Sequence, residues 1–204
     1  MADAARIAVA LAVSRRAPIC YNPLGFEGIF MDQMGYMSVD SPLGPVHVAW
    51  DERGIHMVEF RGDEDTFVTS LMRRLPPAIR PVRGYYPDIA EQIIAYFARS
   101  LTQFSLPLYL TGTPFQMAVW EAVQQIPYAE TRSYEEVARE VGHPAAVRAV
   151  GAANARNSVP LIVPCHRVIR KDGGLGGFAS GVDIKQWLLD FEARTLRTHK
   201  AGPP

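Results

Sequence analysis

Cys165 and His166 stand side by side in the run Ile162 to Arg167, IVPCHR, behind an apolar stretch and a proline. A cysteine attacks as its thiolate, and a neighbouring imidazole is the obvious base to form it. Adjacent residues on a regular strand point to opposite faces and could not share a proton. Pro164 favours a break from any ladder, which would put both side chains on a turn facing one cleft. A buried structural cysteine is the competing reading of the pair, and the surroundings decide between them.

Those surroundings are basic and helical. From Val141 to Lys171 the charged side chains are Arg148, Arg156, Arg167, Arg170 and Lys171, with no acidic residue between. Screening limits distant acids to a reach of about 8 Å, so such a stretch can attract phosphates although the formal net charge of the chain is zero. A solvated basic stripe is the alternative. Within the stretch Arg148 is the first long side chain among Ala145, Ala146, Ala149, Gly151, Ala152 and Ala153. A helix so lined can approach a groove closely, and an isolated arginine suits filling a gap in a base stack. Further on, Glu192 borders the apolar stripe of Ile184, Trp187, Leu188 and Phe191, from where it could reach a buried histidine.

The elements that would position these residues can be read from caps and periodicity. Thr113-Pro114 opens a helix with Phe115, Val119, Val123 and Ile126 on one face, ending at Pro127. Ser133 and Glu136 form a capping box for a second helix, Gly142-His143-Pro144 ends it, and a third spans Ala145 to Ala155. Helix, short turn, helix is the helix-turn-helix pattern. Asp183 to Leu196 is helical, and Asp172 to Gly177 is a glycine-rich turn without the lysine of a phosphate-binding loop. Upstream, Tyr36 to Val39, Val46 to Trp50 and Ile55 to Phe60 read as an antiparallel meander, backed by one helix over Pro87 to Leu101. The fold class is α+β: an extension at 1–35, a small sheet domain at 36–110 and a mainly helical domain at 111–204.

With 204 residues, 48% hydrophobic and 21% charged, the chain can bury one or two cores and is not of disordered composition. Cys20 and Cys165 lie far apart and form no CxxC pair, which argues against a disulfide framework and for a cytoplasmic protein. No apolar run approaches the roughly 20 residues of a membrane span. Cys20, His47 and His56 lack zinc-ligand spacing, so no metal and no cofactor are expected.

The ordered set SYEEVA (133–138), RAVG (148–151), Asn157, PCHRVI (164–169), the glycine-rich loop and KQWLLDFE (185–192) resembles the O6-alkylguanine-DNA alkyltransferase family. The similarity is close over Thr113 to Glu192 and fainter back to Tyr36. It implies an RNase H-like first domain, a winged-helix-like helix-turn-helix in the second, and direct, single-turnover repair of O6-alkylguanine in double-stranded DNA by a protein monomeric without DNA. By resemblance Cys165 is the acceptor, His166 its water-assisted base, Glu192 the group orienting His166, and Asn157 the brace of the turn. Tyr134 matches the proton donor beside the everted nucleotide and Arg148 the finger in the stack, with Ser133 and Ala149 also at the DNA. Pro160, Val168, Phe178, Ala179 and Ser180 correspond to the base pocket, where the Val168 carbonyl reads the guanine amino group. Where the family often has Tyr-Ser-Gly-Gly, this chain has Phe178-Ala179-Ser180-Gly181, which predicts a poor fit for bulky adducts such as benzyl. Two other readings remain: a lesion-binding relative that performs no transfer, though such relatives lack the cysteine, and a thiol hydrolase using Cys165, His166 and Glu192.

Overall fold

The computed structural model describes residues 33–201, with only the backbone for 198–201. Most of the predicted extension, Cys20 included, lies outside the described residues. Three strands form the expected meander: β1 Gln33–Val39, β2 Val46–Asp51 and β3 Gly54–Phe60. The first begins inside the stretch read as extension, and Met34 is buried on it.

The sheet has a fourth strand, β4 (Arg80–Arg83), reached through helix α1 (Glu64–Met72), giving the order β3-β2-β1-β4 with β1 and β4 parallel. One backing helix was expected, and the structure has one on each face. Along β2, Val46, Val48 and Trp50 share a core with Ile89, Ile93 and Tyr96 of helix α2 (Pro87–Phe97), while Ala49 packs with Phe67 and Leu71 of α1. Period-two alternation therefore feeds two apolar layers. The local signals were faint: α1 buries only Phe67 and Leu71, and β4 reads Arg-Pro-Val-Arg, a proline-containing edge strand.

The second half is helical: α3 Pro114–Gln124, α4 Tyr134–Glu140, α5 Val147–Ala155 and α6 Val182–Ala201. Thr113 and Ser133 cap α3 and α4 in reciprocal boxes with Gln116 and Glu136. The third predicted helix starts two residues late, because His143 to Ala146 is occupied by a turn closed by Ala146 N–H on the His143 carbonyl (2.8 Å). Trp120 Nε1 donates to the Ala153 carbonyl at 2.9 Å and locks α3 against α5. Fully buried Val150 also anchors α5 in the core, a contribution of about 1.5–3 kcal/mol. Two short strands, β5 (Arg132–Ser133) and β6 (Val168–Ile169), pair in parallel and tie the start of α4 to the segment after the cysteine.

One apolar core runs through both halves, from Val46 and Val48 to Val163, Leu188 and Phe191. Polar ties cross the same seam: Val58 N–H to the Ser158 carbonyl at 2.8 Å, and Arg61 to Asp183 at 2.6 Å. Among the described residues no helix is long and apolar enough to cross a membrane.

Candidate active site

Pro164 does end the preceding apolar run, and Cys165–Arg167 forms one turn of 3-10 helix. The approach to it is tight. Leu161 holds a left-handed φ of 79°, uncommon for a bulky residue, and Pro160 bridges to Val163. Asn157 secures this turn from inside: its Oδ1 accepts from Val159 N–H at 3.0 Å, and its Nδ2 donates to the Val163 carbonyl at 2.9 Å and to Cys165 Sγ at 3.0 Å. The predicted brace thus also touches the thiol.

The two neighbours do not both face the cleft. Cys165 lines it, whereas His166 is fully buried behind. A 3-10 turn separates successive side chains by about 120°, so adjacent residues diverge. His166 Nε2 meets Glu192 Oε1 at 2.9 Å, while its Nδ1 is buried without a partner. Burial, aided by Arg167 and Lys185, outweighs the pull of Glu192 and lowers the His166 pKa, leaving a neutral ring with Nε2–H on the carboxylate and a free lone pair on Nδ1. The Cys165 thiol is pushed up to about 11 by burial, with Asn157 and Lys185 opposing only in part. It rests protonated and needs a base to become a nucleophile.

Glu192 is the hub. Arg167, read from sequence as part of the basic stripe, instead turns inward and grips this carboxylate with Nε at 3.0 Å and Nη2 at 2.9 Å. Its Nη1 donates to the Ile126 carbonyl at 2.7 Å. A buried carboxylate beside a buried histidine needs a compensating cation, and the adjacent arginine is within reach. Tyr96, from the first half, donates its hydroxyl to Glu192 Oε1 at 2.7 Å, and Ala129 N–H donates to Oε2 at 2.9 Å. Sequence patterning missed Tyr96 because a buried aromatic on a helix reads as core.

The cleft has a volume of about 550 Å³, within the size range of small-ligand sites. Tyr134, Arg148, Cys165, Phe178 and Ala179 line it, as do Gly151, Asn154, Arg170 and Gly176. Tyr134 is held close: a Cβ at Gly176 would meet its hydroxyl at 2.7 Å, so the loop can pass only as glycine. Burial raises the Tyr134 hydroxyl pKa, with Cys165 adding to the shift, and keeps it a proton donor. Pro160, Val168 and Ser180 lie outside the lining. The Val168 carbonyl already accepts Lys185 Nζ at 2.5 Å.

Arg148 and Ala149 are exposed on α5, whereas Ser133 is buried and spends its hydroxyl on the α4 cap. With Arg167 withdrawn and Lys171 paired to Glu135 at 3.3 Å, the basic residues of the Val141 to Lys171 stretch that stand outside the salt bridges of the described residues are Arg148, Arg156 and Arg170. Among the described residues no cluster of three His, Cys, Asp or Glu side chains could hold a metal ion.

Fold and site together define an α+β helix-turn-helix protein with a cysteine lining a cleft beside its second helix. The ribonuclease-like domain model of 6-O-methylguanine DNA methyltransferase matches residues 34–110, and its DNA binding domain model matches 114–194. The methylated-DNA--protein-cysteine methyltransferase of Methanosarcina barkeri is 42% identical over 164 residues, covering 80% of this chain and 100% of the relative. That of Mycobacterium leprae is 43% identical over 161 residues, covering 79% and 93%. The crystal structure of Mycobacterium tuberculosis OGT in complex with DNA aligns with a TM-score of 0.68 at 38% identity, covering 79% of this chain and 94% of that one. The chain belongs to the 6-O-methylguanine DNA methyltransferase family.

Proposed function

We propose that this chain repairs O6-alkylguanine, chiefly O6-methylguanine, in double-stranded DNA by moving the alkyl group irreversibly to Cys165. The observation that carries the reading is the placement of Cys165 on the cleft lining, with the buried ring of His166 and its unpartnered Nδ1 next to it in the chain. His166 Nδ1 takes the thiol proton through one water, Glu192 holds the ring by Nε2–H, and Asn157 Nδ2 steadies the sulfur. The thiolate attacks the saturated carbon, the S–C bond forms as the C–O6 bond breaks, and the electron pair passes to guanine, which Tyr134 protonates. The product is a thioether with no carbonyl for water to attack, so each molecule acts once and needs no cofactor.

The damaged atom lies inside the duplex, and rotating it out costs a few kcal/mol. Exposed Arg148 at the cleft edge is suited to fill the vacated stack, with Ala149 allowing close approach; the buried, capping Ser133 supports this helix pair from beneath. We assign groove contact to residues 111–204, support of the site to residues 36–110, and a cytoplasmic setting in which a monomer keeps its thiol reduced. Intact-protein mass after incubation with an O6-methylguanine duplex tests the reading: one added methyl on Cys165 is expected. Tight binding without added mass would point to a lesion flag, and ester turnover to a hydrolase.

Arg148→Ala should slow transfer from duplex by about ten-fold or more, equivalent to losing roughly 1.4 kcal/mol of the flipping compensation, yet leave reaction with free O6-methylguanine base unchanged. Equal losses on both substrates would argue against insertion. Because Ser180 stands outside the cleft lining, the benzyl adduct is the second check: transfer rates for benzyl and methyl adducts within a few-fold of each other would discard the narrow-pocket expectation.

A further inference from the structure

Helix α5 presents Arg148, Gly151 and Asn154 to the cleft in steps of three residues, and the next step, just past its end, is Asn157. Burial deepens along this row, from exposed Arg148 to Asn154 at 7% exposed. The carboxamide of Asn157 is fully used on the turn and the thiol. That of Asn154, about 4.5 Å back along the helix axis, is used on nothing: Nδ2 and Oδ1 are both buried without a hydrogen-bond partner, and the residue lines the cleft. A buried amide of this kind carries a desolvation penalty that an apolar side chain of equal size avoids, so its presence calls for a partner that arrives from outside.

We propose that Asn154 is a base-reading residue, whose Nδ2 N–H donates to a ring nitrogen flanking the alkylated O6 of the everted guanine. This rests on the repair reading above. With the alkyl group directed at Cys165, the purine atoms on either side of that oxygen belong to the N1 and N7 edges. Alkylation at O6 removes the hydrogen from N1, so both nitrogens are acceptors. As the C–O6 bond breaks, the electron pair passes to O6 and N1 and raises the electron density at N7, so a donor fixed at either nitrogen binds the departing guanine more tightly than the substrate. The contact therefore acts on the transfer step. Val168 cannot take this part: its carbonyl is an acceptor and already holds Lys185 Nζ.

The test measures single-turnover transfer by the full chain, unaltered and as Asn154→Leu and Asn154→Ala, on duplexes carrying O6-methylguanine or its 1-deaza or 7-deaza counterpart. Both variants should react about ten- to hundred-fold more slowly on O6-methylguanine, the range for a hydrogen bond to a charged group. Duplex affinity should be unchanged and the Tm of Asn154→Leu unchanged or raised, since no protein partner is lost. On one of the two deaza duplexes, variant and unaltered chain should react equally. Equal slowing on all three duplexes, no slowing on any, or a lowered Tm for both variants would overturn the inference and make Asn154 a packing or water-holding residue. An unaltered chain that acquires no methyl overturns the repair reading and this inference with it; an unaltered chain that does, matched by Asn154→Leu, overturns the inference alone.

Discussion

Cys165→Ser should abolish methyl uptake from an O6-methylguanine duplex, with affinity for the same duplex held within about two-fold. The loss is complete because a hydroxyl ionises far less readily than a thiol, and the base available is a single neutral imidazole that is itself unable to deprotonate an alcohol to a useful extent. The thiol, pushed up to about 11, is already demanding for that base. Affinity survives because the cleft lining otherwise stays, and the Asn157 amide that meets Sγ at 3.0 Å can meet a serine oxygen. Intact-protein mass and a duplex-binding titration read the two quantities separately. A serine variant that still gains a methyl group would place the acceptor elsewhere.

The second large effect is on stability. Glu192→Leu leaves the Arg167 guanidinium, the His166 Nε2–H, the Tyr96 hydroxyl and the Ala129 N–H facing a dry interior without their common acceptor. Stranding one member of a buried ion pair costs about 3–5 kcal/mol, and urea unfolding should show a loss of that size. The double variant Glu192→Leu with Arg167→Met removes both charges together and should recover much of the stability while transfer stays impaired, because His166 has lost its anchor. A double variant as unstable as the single one would mean that the ion pair is not what holds this part of the core.

The same cluster sets the acid limit. Burial alone would raise the Glu192 carboxyl, but the hydrogen bond from His166 and the hydrogen bonds and charge of Arg167 hold it well below the usual carboxylate range. Its contribution is therefore complete above about pH 4.3 and is lost as the pH falls towards the folded value. His166, held neutral by burial, works in the same direction from below about pH 6.5, where the unfolded chain takes up a proton that the folded ring refuses. Below pH 7 stability should fall in two stages on acidification. A curve that rises between pH 6.5 and 5 would contradict the neutral ring.

Local signals in the sequence were reliable where the cause is local. The proline before Cys165, the capping boxes at Thr113 and Ser133, and the apolar stripe bordered by Glu192 all act within a few residues, and each element appears where they require it. What stayed hidden depends on partners distant in the chain. Nothing near Arg167 distinguishes it from Arg170, yet one is sealed against Glu192 and the other lines the cleft. Asn154 resembles any polar residue in an alanine-rich helix until its buried, unpartnered carboxamide is seen. The α1 and β4 pair escaped notice because its weak pattern is made good by sheet pairing with β1.

The tie from Tyr96 to Glu192 also bears on how this protein can be recombined with its relatives. A hybrid that grafts a foreign sheet half onto residues 111–204 inherits the cysteine, the imidazole and the reading helix intact, but meets Glu192 with whatever stands at position 96. Exchanging the halves is thus an exchange of the acid's wiring, and successful hybrids will be those in which tyrosine and glutamate travel as a pair.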